Sequence, residues 1–344
     1  MLAQNASAWA AAIGAAEREA LKGHRGANPL VGAVILAPGG EVVASGFHRG
    51  AGHPHAEVEA ISALGPTWRE RAGELTLVVT LEPCRLTGRT GPCVRAVLEA
   101  GLGAVVYAAA DPTPNGGGGA ELARAGVSVR GGVDPASAGR LNPRWSRAKA
   151  AGRPFVTAHL AQSLDAKVAD AAGRGRWISG PEAREHSHAV RARVGTIVVG
   201  TGTVLADDPA LTVRLGEEPE RAVPVVIAGA SELPATLGLA RRAAAGADVV
   251  RVRDHDPHVV LAACGSNHVL LEGGPTLLAA FIEADLVDEL FLYQAPLFLG
   301  PGVDSTAALS PRPVGAPWRW AHDPAGDEPD RLGRDLLLHL SPAA

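Results

Sequence analysis

The chain has 344 residues, 47% of them hydrophobic, with a formal net charge of −4 and a sequence pI near 6.3. That length implies about two domains with a core in each. The acidic balance excludes the basic face of a nucleic-acid binder, and the longest apolar runs fall short of the ~18 residues that cross a bilayer.

Only three cysteines occur, Cys84, Cys93 and Cys264, which is no disulfide framework. No basic-then-apolar leader pattern opens the chain. A reducing cytoplasm is therefore expected. Glycine (42) and proline (26) are high and aromatics are 4%, consistent with a base-composition bias that raises Ala, Gly, Arg and Pro together.

In chain order, 7–21 reads as an amphipathic helix carrying Trp9 and Ile13. Residues 31–36 read as a strand, turned by Pro38-Gly39-Gly40 into a second strand over 41–45. The spacing of Val58, Ile61 and Leu64 predicts a helix from His55 to Leu64. A buried strand follows over 75–81, then a helix over 93–100 closed by Gly101, and a strand over 104–109. Residues 121–125 and 127–129 repeat helix then strand, and this alternation predicts a three-layer α/β sheet. Gly116 to Gly119 reads as a low-complexity loop. Residues 135–153 carry five basic residues, no acid after Asp134 and little apolar periodicity. They read as a solvated linker or a phosphate or subunit contact. The expected division is 1–146, a linker 147–153, and 154–344.

The second domain starts at Phe155. Strands are expected over 196–199, 223–228, 268–271, 290–294 and 336–340, with a helix whose buried face holds Leu277, Leu278, Phe281 and Ile282. Two glycine turns follow strands, Gly200-Thr201-Gly202-Thr203 and Gly273-Gly274-Pro275-Thr276. Neither is the Gly-x-Gly-x-x-Gly dinucleotide signature. By itself each reads as a tight turn more often than as a cofactor site.

The chemistry concentrates in His53-Pro54-His55-Ala56-Glu57, Glu82-Pro83-Cys84 and Pro92-Cys93. One imidazole and two thiolates suit Zn²⁺, and three protein ligands leave a fourth position open for water. Such a water loses a proton near neutral pH, and Glu57 is placed to shuttle it. Zinc deaminases of bases and nucleotides expel ammonia with this kit. Both cysteines follow prolines, which predicts turn-to-helix entries for both. A structural zinc or two inert core cysteines is the plain alternative, although structural sites usually carry a fourth Cys or His.

Longer motifs resemble a known family. Asn28-Pro29-x-Val31-Gly32, Gly52-x-Pro54-His55-Ala56-Glu57-Val58, Thr80-Leu81-Glu82-Pro83-Cys84 and Thr87-Gly88-Arg89-Thr90-Gly91-Pro92-Cys93 resemble the bifunctional riboflavin-biosynthesis deaminase–reductases. Cytidine and tRNA deaminases have a shorter gap between the two cysteines. Ser163-Leu164-Asp165, Arg176-Trp177-Ile178-Ser179-Gly180, the stretch from Val204 to Arg214, and Glu272-Gly273-Gly274-Pro275-Thr276-Leu277 resemble the reductase half.

The resemblance implies a cytidine-deaminase-like three-layer domain followed by a dihydrofolate-reductase-like α/β domain. It implies Zn²⁺ on His55, Cys84 and Cys93, with Glu57 catalytic and Asn28 on the pyrimidine. It implies NADPH bordered by Ala161, Trp177, Thr203, Asp207, Gly274, Pro275, Thr276, Leu277, Leu278, Ala279 and Ala280. Arg191, Leu211, Arg214 and Glu272 would border the substrate, the two arginines taking its phosphate. Without the family, Arg191 reads as part of a solvated helix face, and Asp207-Asp208-Pro209 as a helix stop.

The implied reactions are deamination of 2,5-diamino-6-(ribosylamino)pyrimidinone 5′-phosphate and NADPH-dependent reduction of its ribosyl group to ribityl. The expected partner is that small phosphorylated pyrimidine, with no nucleic acid and no membrane, in a homo-oligomer. The alternatives are a deaminase whose second half is inactive or only a scaffold, or a nucleic-acid base deaminase, which the charge opposes. The chain departs from the family at Leu30, where Asn is common, at Arg85-Leu86-Thr87, where a His is usual, at His159, often Lys, and at Ala166, often Gly.

Overall fold

The computed structural model describes residues 6–343 except 24–27, 51, 87–90, 176, 217–219, 247 and 324–329. The chain divides into two compact units, Met1–Gly152 and Arg153–Ala344.

In the first unit the elements are α1 (Ala6–Ala20), β1 (Gly32–Leu36), β2 (Val42–Phe47), α2 (Ala56–Ser62), α3 (Pro66–Arg69), β3 (Thr76–Leu81), α4 (Cys93–Glu99), β4 (Ala104–Ala109), α5 (Gly118–Arg124), β5 (Ser128–Arg130), α6 (Ser137–Leu141) and α7 (Pro143–Ala151). The sheet runs β2-β1-β3-β4-β5. β1 pairs antiparallel with β2 and β3, and β4 is parallel to both β3 and β5. Alternation within the strands makes the layers. Ala33, Ile35, Leu77, Val79 and Val105 pack with α2, α4 and Leu122 of α5 on one face. Val34, Leu36, Val78 and Val106 pack with Trp9 and Ile13 of α1 on the other. This is the expected three-layer architecture. Gly101, at φ 69, ends α4 as its position suggested.

Two local expectations give way. The stretch expected as a linker is mostly helix, because Pro143 starts α7 and Trp145 and Ala148 are buried. It belongs to the first unit. Asn142 accepts from Leu30 N at 2.7 Å and donates to Leu30 O at 2.9 Å. Arg140 pairs with Glu17 and Asp134. The basic run by itself did not show these contacts, since Leu30 and Glu17 are distant in sequence. The glycine run is also no simple loop. Gly118 and Gly119 open α5 and are buried. A Cβ on Gly118 would lie 1.9 Å from Pro83 O, and one on Gly119 2.6 Å from the Tyr107 ring. Glycine is required there by close approach rather than by flexibility.

The second unit contains β6 (Phe155–Gln162), β7 (Lys167–Asp170), α8 (Pro181–Arg193), β8 (Thr196–Gly200), α9 (Thr201–Asp207), β9 (Thr212–Val213), β10 (Arg221–Ala222), β11 (Val225–Ala228), α10 (Gly238–Ala244), β12 (Val249–Val252), α11 (Pro257–Ala262), β13 (His268–Leu271), α12 (Pro275–Glu283), β14 (Glu289–Gln294), β15 (Gly302–Asp304), β16 (Trp320–His322), β17 (Arg331–Leu332) and β18 (Asp335–Pro342). Its main sheet runs β12-β11-β8-β13-β6-β14-β18-β16. The first six strands are parallel and β18 returns antiparallel along β14. Ile197, Val199, Leu270, Phe291 and Tyr293 face one core with α8. Val156, Val198, Val269 and Leu271 face the other with Leu277, Leu278 and Phe281 of α12. Near the starts of β13, β6 and β14 a buried polar line crosses the sheet. Thr157 Oγ1 lies 2.8 Å from His268 Nε2 and donates to Glu289 at 2.7 Å, and Glu289 lies 2.6 Å from His339 Nε2.

Candidate active sites

The first site assembles from three element ends. β2 leads through a loop to His55, the residue that caps α2, and Glu57 is buried in that helix's first turn. Cys84 follows β3, and Cys93 is the first residue of α4 behind Pro92. Only Cys93 enters a helix as predicted; Cys84 lies in a loop. His55 Nδ1 is 3.1 Å from Cys93 Sγ and 3.5 Å from Cys84 Sγ, and the two sulfurs are 3.4 Å apart. Zn–N and Zn–S bonds of about 2.0 and 2.3 Å span such a triangle, so the three residues fit a zinc ion.

The charges fit as well. Hydrogen bonding with Cys93 is the largest influence holding Cys84 down to about 4, against its burial, and the Cys93 amide donates to that sulfur at 3.4 Å. Cys93 is pushed up, by sharing with Cys84 and by burial. His55 is raised, chiefly by its bond with Cys84. Burial raises Glu57, with the His55 charge opposing. A cation would favour both thiolates.

Neighbouring residues support the frame. Glu82 accepts from Gly119 N at 3.0 Å and Asp111 N at 3.3 Å, tying α5 and the end of β4 to the Glu-Pro-Cys turn. Arg85 donates to Gly116 O at 2.6 Å and its amide bonds Asn115 O. That departure from the family pattern therefore braces the glycine-rich loop, while Thr87 to Thr90 of the insert lie outside the described residues. His48 escaped the sequence reading. Its Nδ1 lies 3.0 Å from Pro54 O and its Nε2 2.9 Å from Asn28 Nδ2. Its ring meets His55 edge-on at 5.2 Å. A carbonyl partner at Nδ1 makes that nitrogen the donor, so Nε2 accepts from the Asn28 amide. The only sequence signal was a histidine at the end of β2, seven residues before His55. A second group, Glu289, Asp323 and His339, also converges among the described residues, but there His339 bonds Glu289 directly at 2.6 Å.

The second site is a cavity of about 610 Å³ in the second unit. Ala161, Trp177, Arg191, Arg214 and Glu272 of the expected set line it, together with His159, Arg184, Ser187, His188 and Tyr293. Ala161, Glu272 and Tyr293 sit at or just past the C-terminal ends of β6, β13 and β14, where parallel sheets place ligands. Thr203 and Gly274 are brought together: a Cβ on Gly274 would lie 3.2 Å from Thr203 Oγ1. The two glycine turns are thus neighbours, and α12 presents its N-terminus there, suited to phosphate.

Other expected residues play different parts. Leu277, Leu278 and Ala279 are buried, and the two leucines pack in the core. Leu211 is a core residue at φ 50. Asp207 ends α9. Arg191 does not offer its fork to a phosphate. Its Nε and Nη2 each donate to Glu272 at 2.6 Å and its Nη1 to Thr212 O at 3.1 Å. Glu272 stays low, the Arg191 charge and hydrogen bonds outweighing its burial. Arg214 is exposed, bonded to Thr212 Oγ1 and beside His188. Arg184, which by sequence shares the solvated helix face with Arg191 and Arg193, lies 4.8 Å over the exposed Trp177 ring. Ala166 adopts φ 56, a left-handed conformation that favours glycine.

Known proteins place both units. The cytidine and deoxycytidylate deaminase zinc-binding region matches residues 7–109, and the RibD C-terminal domain matches 154–311. Riboflavin biosynthesis protein RibD of Mycobacterium tuberculosis is 41% identical over 327 residues, covering 93% of each chain. The Escherichia coli protein is 36% identical over 309 residues, covering 79% of this chain and 83% of its own. The solved Acinetobacter baumannii RibD superposes with a TM-score of 0.85 at 30% identity over 99% of this chain and all of its own. A Thermotoga maritima diaminohydroxyphosphoribosylaminopyrimidine deaminase/5-amino-6-(5-phosphoribosylamino)uracil reductase superposes at 0.77, with 27% identity and 99% and 100% coverage. A zinc-fitting triangle beside a buried glutamate, a cavity at the C-terminal ends of a parallel sheet, and likeness along nearly the whole chain agree: this chain belongs to the RibD family of riboflavin biosynthesis proteins.

Proposed function

We infer that the first unit deaminates 2,5-diamino-6-(ribosylamino)pyrimidinone 5′-phosphate and that the second reduces the product's ribosyl group to ribityl with NADPH. The observation that carries this is the convergence of His55, Cys84 and Cys93 on one point beside the buried Glu57. Zinc held there supplies hydroxide at neutral pH. Glu57, raised by burial, carries a proton from that water first to the ring nitrogen and then to departing ammonia. Asn28, with its Nδ2 committed to His48, turns its carbonyl oxygen to a pyrimidine N–H donor.

In the second unit, NADPH brings the hydride, and the protein's task is to orient the donor against the sugar's C1. Thr203, Gly274 and the N-terminus of α12 are assigned to the dinucleotide. The exposed guanidinium of Arg214 takes the substrate phosphate. The Arg191–Glu272 pair, 14% and 13% exposed at the side chains, holds the cavity wall. A cytoplasmic setting fits the free thiols. Self-association belongs to the same reading and is checked by light scattering.

Glu57→Gln tests the first half directly. Ammonia release is expected to fall by about 100-fold or more, while zinc content stays at the wild-type level. Zinc lost together with activity would make Glu57 a structural residue.

A further inference from the structure

Reduction at the sugar's C1 needs a proton as well as a hydride. The hydride adds to C1, the bond from C1 to the ring oxygen breaks, and that oxygen must be protonated to leave as a hydroxyl. Most polar groups of the second unit's cavity cannot supply this proton. Arginine does not deprotonate in proteins. Glu272 is held as carboxylate by Arg191. His188 Nδ1 accepts from the Arg214 amide at 3.2 Å and its Nε2 lies 3.1 Å from Arg214 Nη2, so burial and then the arginine charges disfavour a second proton on its ring.

A line of protic groups remains in the wall. Ser187 Oγ lies 3.3 Å from His159 Nδ1, Tyr293 Oη 3.4 Å from His159 Nε2, and Tyr293 Oη 2.9 Å from His186 Nδ1. Ser187, His159 and Tyr293 line the cavity, and His186 is buried. These three contacts can be satisfied with the donors running in either direction, and one of the two delivers a proton to the cavity. His186 Nδ1–H donates to the phenol oxygen, the phenol donates to His159 Nε2, and His159 Nδ1–H donates to Ser187 Oγ. The line then points from the interior to the cavity. Ring packing holds it: His159 and His186 each meet both Phe291 and Tyr293 edge-on. Burial keeps His159 neutral down to about 4, so one nitrogen can accept while the other gives.

We propose that Ser187, His159 and Tyr293 form the proton relay of the reductive step, an inference that rests on the reductase reading above. As hydride leaves NADPH for C1, the electron pair of the broken C–O bond goes to the oxygen, which takes the Ser187 proton. Ser187 is refilled from His159 Nδ1, and His159 Nε2 from Tyr293. The phenolate, bonded by His186, regains a proton from water. One hydride and one proton are consumed, and NADP⁺ leaves.

The test uses the full-length protein, the deaminated pyrimidine phosphate and NADPH. Tyr293→Phe keeps the ring packing and removes the proton. Its kcat for NADPH oxidation is expected to fall about 100-fold, with NADPH affinity by fluorescence within about twofold of wild type. The wild-type solvent deuterium effect, bowed in mixed H₂O/D₂O because several protons move, is expected to become linear in the variant. Ser187→Ala is expected to lose rate in the same way. A Tyr293→Phe enzyme with undiminished kcat, or one losing NADPH affinity in step with kcat, overturns the relay alone. Wild-type protein that binds NADPH but never oxidises it overturns the reductase reading and the relay with it.

Discussion

His159 is faced by Glu272, His186, Arg191 and Glu289, and burial is the largest reason its imidazole stays neutral down to about 4. An unfolded histidine titrates near 6.5. Between those values the unfolded chain binds the extra proton, so stability rises with pH. The neutral form's contribution is complete above pH 6.5 and is lost as pH falls toward 4, amounting to about 3 kcal/mol. Urea midpoints measured across that window should therefore fall less steeply in His159→Gln than in wild type. Equal slopes would mean that other groups govern acid stability. At this scale, the site was legible where residue type and close spacing carry the chemistry, as in His55 and Glu57, which the fold brings beside Cys84 and Cys93. It was not legible at His48, whose meaning depends on Asn28 and Pro54, nor at Arg191, whose partner Glu272 is far along the chain.

At the scale of elements, α5 starts on the two glycines Gly118 and Gly119, the weakest helix formers after proline. Propensity predicted a loop, and packing overrode it. The carbonyl of Pro83 occupies the space a side chain would need. Gly118→Ala must push away the turn that carries Cys84. It is expected to cost about 1–3 kcal/mol, read as a lower thermal midpoint together with reduced zinc retention. Unchanged stability and zinc content would show that the turn yields freely. α7 teaches the same lesson in reverse. Its basic residues read as linker, yet buried Trp145 and the Asn142–Leu30 bonds fasten it to the first unit. The predicted strands stood within a few residues, because runs such as Val31 to Leu36 and Thr196 to Val199 have no other stable use.

At the scale of the molecule, each unit has its own sheet with a core on both faces, and the zinc-fitting His55, Cys84 and Cys93 lie in the first. A chelator that strips zinc should abolish ammonia release and leave NADPH oxidation intact when the deaminated pyrimidine is supplied. Loss of both activities would mean that the second unit depends on the metal. The sequence by itself determined two α/β domains, the His/Cys/Cys set that fits zinc, and the family. Hydrophobic period, residue chemistry and short-range spacing are all written along the chain. Tertiary structure alone decided which polar groups spend their hydrogen bonds on one another. It locked Arg191 onto Glu272, buried Leu211 and Leu277, and aligned Ser187, His159, Tyr293 and His186, since these pairings join strands and helices up to 134 residues apart.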